Sequence, residues 1–346
     1  MGALARHVTS WTAVAALLAN GAWWAEARSH SPTRAEAPQR SVETPRTTNS
    51  SPMSPSLPIR IIRPNPNLEI AFDTRTRNAV YVLEKLETKG LAKGPQKRPH
   101  FYEEKQIDQA TFRSKLSHYK HSGFDRGHLA PAADFPHHTQ KDTFNLCNIS
   151  PQNPAMNKGI WSQMEAFCRR LAQQQQQEEE EPSDTYVVTG PLWLPTQQVA
   201  TAKFQYAHLG LGKPPSLVAV PTHFFKVVVV VISEEASGSL PRIQKFACFV
   251  VPNMEPNKKK TMVDYVVPWT DLETVTGLQF FPNLVTEDWK ASADHLTHET
   301  VLRFASSSQK LLTDGTTAPG GTSKRSFGRK SRLPALEHLC QKGDCR

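Results

Sequence analysis

The stretch from Gly123 to Leu171 limits the fold more than any other part of this chain. It reads GFDRGHLAPAADF, a short link, then TFNLCNISPQNPAMNKGIWSQMEAFCRRL. In its second half Trp161, Met164, Cys168 and Leu171 recur at spacings of three and four, which predicts an amphipathic helix with those residues on its buried stripe. Asn157, Trp161 and Glu165 are spaced by four, which stacks them along a neighbouring strip of that helix. An amide oxygen and a carboxylate one turn either side of an aromatic suit a hard cation that takes oxygen ligands. The first half sets an imidazole close to a guanidinium, in Asp125-Arg126-Gly127-His128. A histidine with an unperturbed pKa of about 6.5 is mostly neutral at physiological pH, so His128 is a candidate general base.

Each of these residues has a plainer reading as well. His128 could be a buried histidine at a strand-to-loop junction, Asn157 a helix N-cap, and Glu165 a surface ion-pair partner. Arg126 could pair with Asp125, and Asn148 could form a turn before Pro151. Residue types alone leave those alternatives open.

The resemblance that decides between them rests on several motifs in order: D-R-G-H, then Asn148-x-x-Pro151-Gln152, then Asn157-x-x-x-Trp161-x-x-x-Glu165. Together they resemble the signature of the DNA/RNA non-specific endonuclease family. FDTRTRNAVYVLEKL upstream, YVVTGPLWLP and VAVPTHFFKVVV downstream, and TGLQFFPNL near the end resemble its mitochondrial endonuclease G branch. These blocks run from about Glu69 to Leu284.

The resemblance implies an α+β fold of the ββα-metal type, a central antiparallel sheet flanked by helices. It implies Mg²⁺ as the cofactor, with Mn²⁺ as a substitute, and Asn157 as the metal ligand. His128 would activate water, Arg126 would neutralise the phosphate, and Asn148 would orient phosphate or water. Glu165 would accept hydrogen bonds from water on the ion. The expected reaction is cleavage of DNA and RNA to 5′-phosphate and 3′-hydroxyl ends by a homodimer. Such an enzyme contacts its substrate mainly through the backbone, since cutting both sugars demands little base reading. The alternatives are a nucleic-acid-binding protein without turnover and a secreted scavenging nuclease with the same chemistry. One departure stands out: the family often has Gln after the ligand asparagine, and here it is Lys158.

Outside the motifs, composition sets the boundaries. Residues 1–27 carry few charges around the apolar run WTAVAALLANGAWWA, too short to span a bilayer and suited to a targeting segment. Its Ala25-Glu26-Ala27 fits a secretory exit as well as its acid-poor start fits a mitochondrial leader, and the family resemblance favours mitochondria. Residues 28–58 are rich in Ser, Thr, Pro and Arg and read as a disordered linker. The nuclease domain is expected over 59–290, with folded structure evident from near Leu68, and 291–346 reads as a basic, largely disordered tail.

Within the domain, strands are expected at Glu69–Phe72, Ala79–Leu83, Tyr186–Thr189 (ending at Gly190-Pro191), Phe224–Ile232 and Lys245–Val251. A short helix is expected over Val267–Leu278, with Thr270 as its N-cap and Gly277 near its end. Gln173–Pro182 reads as a polar helix extension or an insert. Lys97 or Arg98 is either a phosphate contact or solvated surface, and the lysines of NMEPNKKK read as solvated. The net charge of +9 agrees with a polyanionic partner without identifying one. The five cysteines show no zinc-type spacing; Cys147, Cys168 and Cys248 read as core residues, while Cys340 and Cys345 are close enough to pair in an oxidising compartment.

Overall fold

The computed structural model describes residues 55–87, 98–178, 183–232, 240–313, 336–341 and 345. The targeting segment, all but the last residues of the linker, Lys97, the end of the Gln/Glu run and the basic cluster SKRSFGRKSR lie outside them. The chain divides into units 1–59 and 60–346, and every candidate site residue lies in the second.

Three strands open the fold: β1 (Ile59–Asn65), β2 (Leu68–Asp73) and β3 (Asn78–Lys85). The first precedes Leu68, where the apolar pattern becomes evident; its IRIIRPN sequence is only partly buried, so it gives a weak signal. The hairpin β4 (Asp125–His128) and β5 (Ile149–Gln152) follows. A helical turn (Pro154–Met156), a π-type turn (Asn157–Trp161) and helix α1 (Ser162–Glu178) come next. The Gln/Glu run therefore extends α1 as a polar helix as far as Glu178.

Strands β6 (Ser183–Leu192), β11 (His223–Ile232) and β12 (Arg242–Pro252) form the centre of the main sheet. Two small pairs lie between β6 and β11: β7 (Gln197–Ala200) with β8 (Lys203–Gln205), and β9 (Gly210–Lys213) with β10 (Ser216–Ala219). Helices α2 (Trp269–Thr276) and α3 (Glu287–Thr313) and strand β13 (Glu337–His338) complete the described elements. The seven-stranded sheet has the order β1-β2-β3-β6-β11-β12-β13. Its pairs from β2 to β12 are antiparallel, and β13 joins β12 in parallel.

Alternation along the strands divides the sheet into two covered faces. Phe224, Val228, Ala247 and Phe249 share one core cluster with Trp161, Met164, Phe167 and Cys168 from the α1 side. On the other face Phe225 meets Phe280, while Phe246 meets Trp269 of α2 and Trp289 of α3. β11 is buried at every position, and each such apolar side chain stabilises the fold by about 1.5–3 kcal/mol relative to exposure.

Three boundaries differ from expectation for local reasons. β6 continues through Gly190 and Pro191 to Leu192, because Gly190 lets the strand pass where a Cβ would lie 2.5 Å from Phe225 and from the Val80 carbonyl. α2 starts at Trp269 after Pro268, so Thr270 is not its N-cap; its hydroxyl bonds instead to Asp294 of α3. Gly277 closes α2 in the left-handed conformation at φ 69°, as its position suggested. The third difference is the C-terminal boundary. α3 runs across residue 290, and β13 returns to the sheet with Leu339, Cys340 and Cys345 in the core. Cys340 and Cys345 form a disulfide, and the other three cysteines are free and buried.

Candidate active site

The hairpin β4–β5 and the start of α1 are locked together before any chemistry is considered. Gly127 pairs with Ser150, and a Cβ on Gly127 would overlap the side-chain amide of Gln152. The glycine in D-R-G-H is thus required by the glutamine in N-x-x-P-Q, whose Nε2 lies 3.4 Å from the His128 carbonyl. Asn148 is fully buried and spends its amide on the chain beyond His128. Its Oδ1 accepts from the Ala130 N–H at 3.0 Å, and its Nδ2 donates to the carbonyls of Ala130 and Thr143, both at 2.8 Å. Both amide hydrogens of Asn148, expected to orient phosphate or water, are thus engaged inside the protein on the backbone around the histidine.

Asn157 does not cap the helix. Asn153 does so, its Oδ1 accepting from the N–H groups of Ala155 (3.0 Å) and Met156 (3.2 Å). Asn157 sits in the π-type turn, where Gly159 departs from helical angles at φ −100°, ψ −112°. The continuous strip expected for Asn157, Trp161 and Glu165 is therefore broken between the first two, because the turn shifts Asn157 relative to α1. The shift brings its Nδ2 to Asp125 Oδ2 at 3.1 Å. That bond fixes which way the amide points, and it leaves Oδ1 as the acceptor available to a cation.

Trp161, with no exposed surface, donates from Nε1 to the His128 carbonyl at 3.4 Å. Asn157 and Trp161 therefore hold the two ends of β4. The helix entry and the histidine strand are a single assembly.

His128 is packed between aromatic rings, 5.5 Å from Phe101 and 5.0 Å from Phe144. Its Nε2 is buried without a hydrogen-bond partner among the described residues. Burial, and then the nearby Arg98 cation, push its pKa down to about 3. Arg98 lies over Phe101 and Phe144 at 5.6 and 5.5 Å, and Arg126 over Phe101 at 4.7 Å. Arg98 therefore acts on the imidazole, and both guanidinium groups lie over Phe101, the ring beside it. Asp125 does not neutralise Arg126; its ion pair is with Lys158, at 3.5 Å, and its hydrogen bond is with Asn157. His128 is expected to remain neutral down to about pH 5. An NMR titration of the imidazole nitrogens checks this: a protonation midpoint near 6.5 would contradict the burial argument.

Glu165 is partly buried one turn beyond Trp161. Burial raises its pKa to about 7, opposed by Lys226 and Arg169 and reinforced by Asp134. Asp134 is 2 % exposed and accepts from Arg169 Nη1 at 2.6 Å, which ties the turn after β4 to α1. Sequence reading missed Asp134, Arg169 and Lys226 altogether, and it treated Asp125 only as a neighbour of Arg126. One available signal was a lysine inside the otherwise apolar β11 run.

Among the described residues no group of three or more His, Cys, Asp or Glu side chains is arranged to hold a metal. A cage built wholly from protein is therefore not part of the site. The donor set fits a cation that keeps most of its waters: one oriented amide oxygen, with the Asp125 carboxylate bonded to the same amide.

The family model described as DNA/RNA non-specific endonuclease matches residues 48–287. A mitochondrial nuclease of Saccharomyces cerevisiae is 34% identical over 238 residues, covering 67% of this chain and 69% of the relative. The mitochondrial endonuclease G of Bos taurus is 35% identical over 219 residues, covering 62% of this chain and 67% of the relative. Among solved structures, the crystal structure of an EndoG/EndoGI complex matches with a TM-score of 0.55 and 28% identity, over 67% of this chain and 88% of that one.

Proposed function

The chain belongs to the DNA/RNA non-specific endonuclease family, and from that membership we propose a Mg²⁺-dependent, sugar-non-specific endonuclease that hydrolyses phosphodiester bonds in DNA and RNA. The observation that carries the proposal is the bonding of Asn157 and Trp161 to opposite ends of the histidine strand. It supports one cleft served by an imidazole and an oriented amide.

In this reading His128 takes a proton from the attacking water. Its low pKa keeps the lone pair free, and bound phosphate offsets the Arg98 charge, raising the basicity of the imidazole once substrate is in place. Arg126 and Arg98 hold the phosphate and neutralise charge as it accumulates. Phe101 and Phe144 restrict the orientations of the ring. Asn157 would hold the cation through Oδ1, and Glu165 would accept from water around it. When bound, Mg²⁺ supplies stabilisation of the departing 3′ oxygen, leaving 5′-phosphate and 3′-hydroxyl ends. Mn²⁺ is the expected substitute. Lys158 is turned to Asp125, so its charge is partly offset beside the cation site.

Mitochondrial relatives favour a mitochondrial address over the secretory one. The family resemblance favours a homodimer. Among the described residues no helix is long and apolar enough to cross a membrane.

The purified chain is expected to cut both supercoiled plasmid and labelled RNA with Mg²⁺, to stop with chelator, and to leave ends that a ligase joins directly. Binding without cleavage would overturn the proposal in favour of a non-catalytic binder.

A further inference from the structure

β11 carries a lysine between Phe224-Phe225 and Val227-Val228. Lys226 is 1 % exposed in the strand HFFKVVVVVI, at the centre of the sheet. An ammonium so placed is costly unless it is paired. Its Nζ donates to Thr189 Oγ1 of β6 at 2.7 Å and lies 4.9 Å over the Trp161 ring. Register places Thr189 opposite both Lys226 and Val82, so Glu84, two residues along β3, shares this face. Three carboxyl groups from three elements feel the charge of the ammonium: Glu84 of β3, Asp134 of the turn after β4, and Glu165 of α1. Arg169 adds a second cation. Burial pushes the Glu84 carboxyl well above the usual carboxylate range.

Such a cluster is a poor device for stability alone, since a well-packed apolar replacement of a buried ionic group is often neutral or stabilising. What sets this one apart is its position. The ammonium touches the ring whose indole N–H holds the His128 carbonyl, and its charge acts on the carboxylate one turn farther along the same helix.

We infer that Lys226 is a positioning residue for phosphodiester cleavage: anchored by Thr189, it holds the Trp161 ring against the histidine strand and sets the electrostatic field at the Glu165 carboxylate. This rests on the nuclease reading above. Lys226 reaches neither the substrate nor the cation; it acts through Trp161 and Glu165, as outer partners act at metal sites.

The test compares wild type, Lys226→Met, Lys226→Arg and Thr189→Val, as full chains, in steady-state plasmid cleavage with Mg²⁺. Lys226→Met is expected to lower kcat about 100-fold while KM for DNA stays within about twofold, and Lys226→Arg to recover most of the loss. Thr189→Val, which keeps the charge and removes only the anchor, is expected to lower kcat about tenfold. A folded Lys226→Met with wild-type kcat overturns the inference, as does a change confined to KM. If Lys226→Met fails to fold, Thr189→Val decides, and an unchanged kcat there overturns it. A wild-type chain that cleaves nothing defeats the nuclease reading itself, which is a separate outcome.

Discussion

His128→Ala is expected to lower kcat for plasmid cleavage by about 10²–10⁴-fold, the range typical of removing a general base, with little change in DNA binding. The fold should survive, because the Trp161 and Gln152 bonds run to the His128 main-chain carbonyl rather than to the ring. The deleted imidazole leaves a space between Phe101 and Phe144, so added free imidazole should restore part of the lost rate. Replacement by Gln, which fills the space without a basic nitrogen, should remain inactive. Parallel measurements of kcat and of binding by fluorescence anisotropy separate loss of chemistry from loss of affinity. A variant with wild-type kcat would remove His128 from the mechanism.

The second large effect is expected at Asn157. Asn157→Ala should lower activity about 100-fold and raise the Mg²⁺ concentration needed for half-maximal rate. Thermal unfolding should barely move, because the helix is capped by Asn153. Asn157→Asp is the more revealing change. A carboxylate would ordinarily bind Mg²⁺ better than an amide, yet here the amide donates to Asp125 Oδ2. Aspartate would set two acceptors against each other with no proton between them. Asn157→Asp is therefore expected to rescue poorly near neutral pH, and Asn157→Asp with Asp125→Asn to rescue better. Mg²⁺ titrations of cleavage rate across this set measure the coupling. Additive effects would show that Asp125 does not orient Asn157.

The sequence made much of the site legible, and the limits of that reading have physical causes. His128 and Asn157 fell within motifs whose spacing carries chemistry, and β2, β3, β11 and β12 followed from apolar runs of strand length. The π-type turn escaped because it arises from backbone angles at Gly159, and a helical periodicity of four runs straight through it. The bonding of Asn148 was hidden for a related reason. Its residue type suits either a phosphate contact or a backbone brace, and its bonds to the Ala130 and Thr143 carbonyls exist only in the folded chain.

Charges buried among apolar neighbours were the least legible. Lys226, Asp134 and Glu84 come from segments far apart in the chain, and their pairing exists only once β3, β6 and β11 lie side by side. The C-terminal segment escaped because β13 spans only Glu337–His338 and joins β12 without an apolar run of its own.

The most direct test of a cation held by Asn157 next to His128 uses a paramagnetic ion. Mn²⁺ added stepwise to ring-labelled protein should broaden the His128 imidazole signal at the lowest metal concentrations, and Asn157→Ala should abolish that early broadening. Contradiction would come from a His128 signal that stays sharp while other residues broaden, or from broadening that persists unchanged in Asn157→Ala.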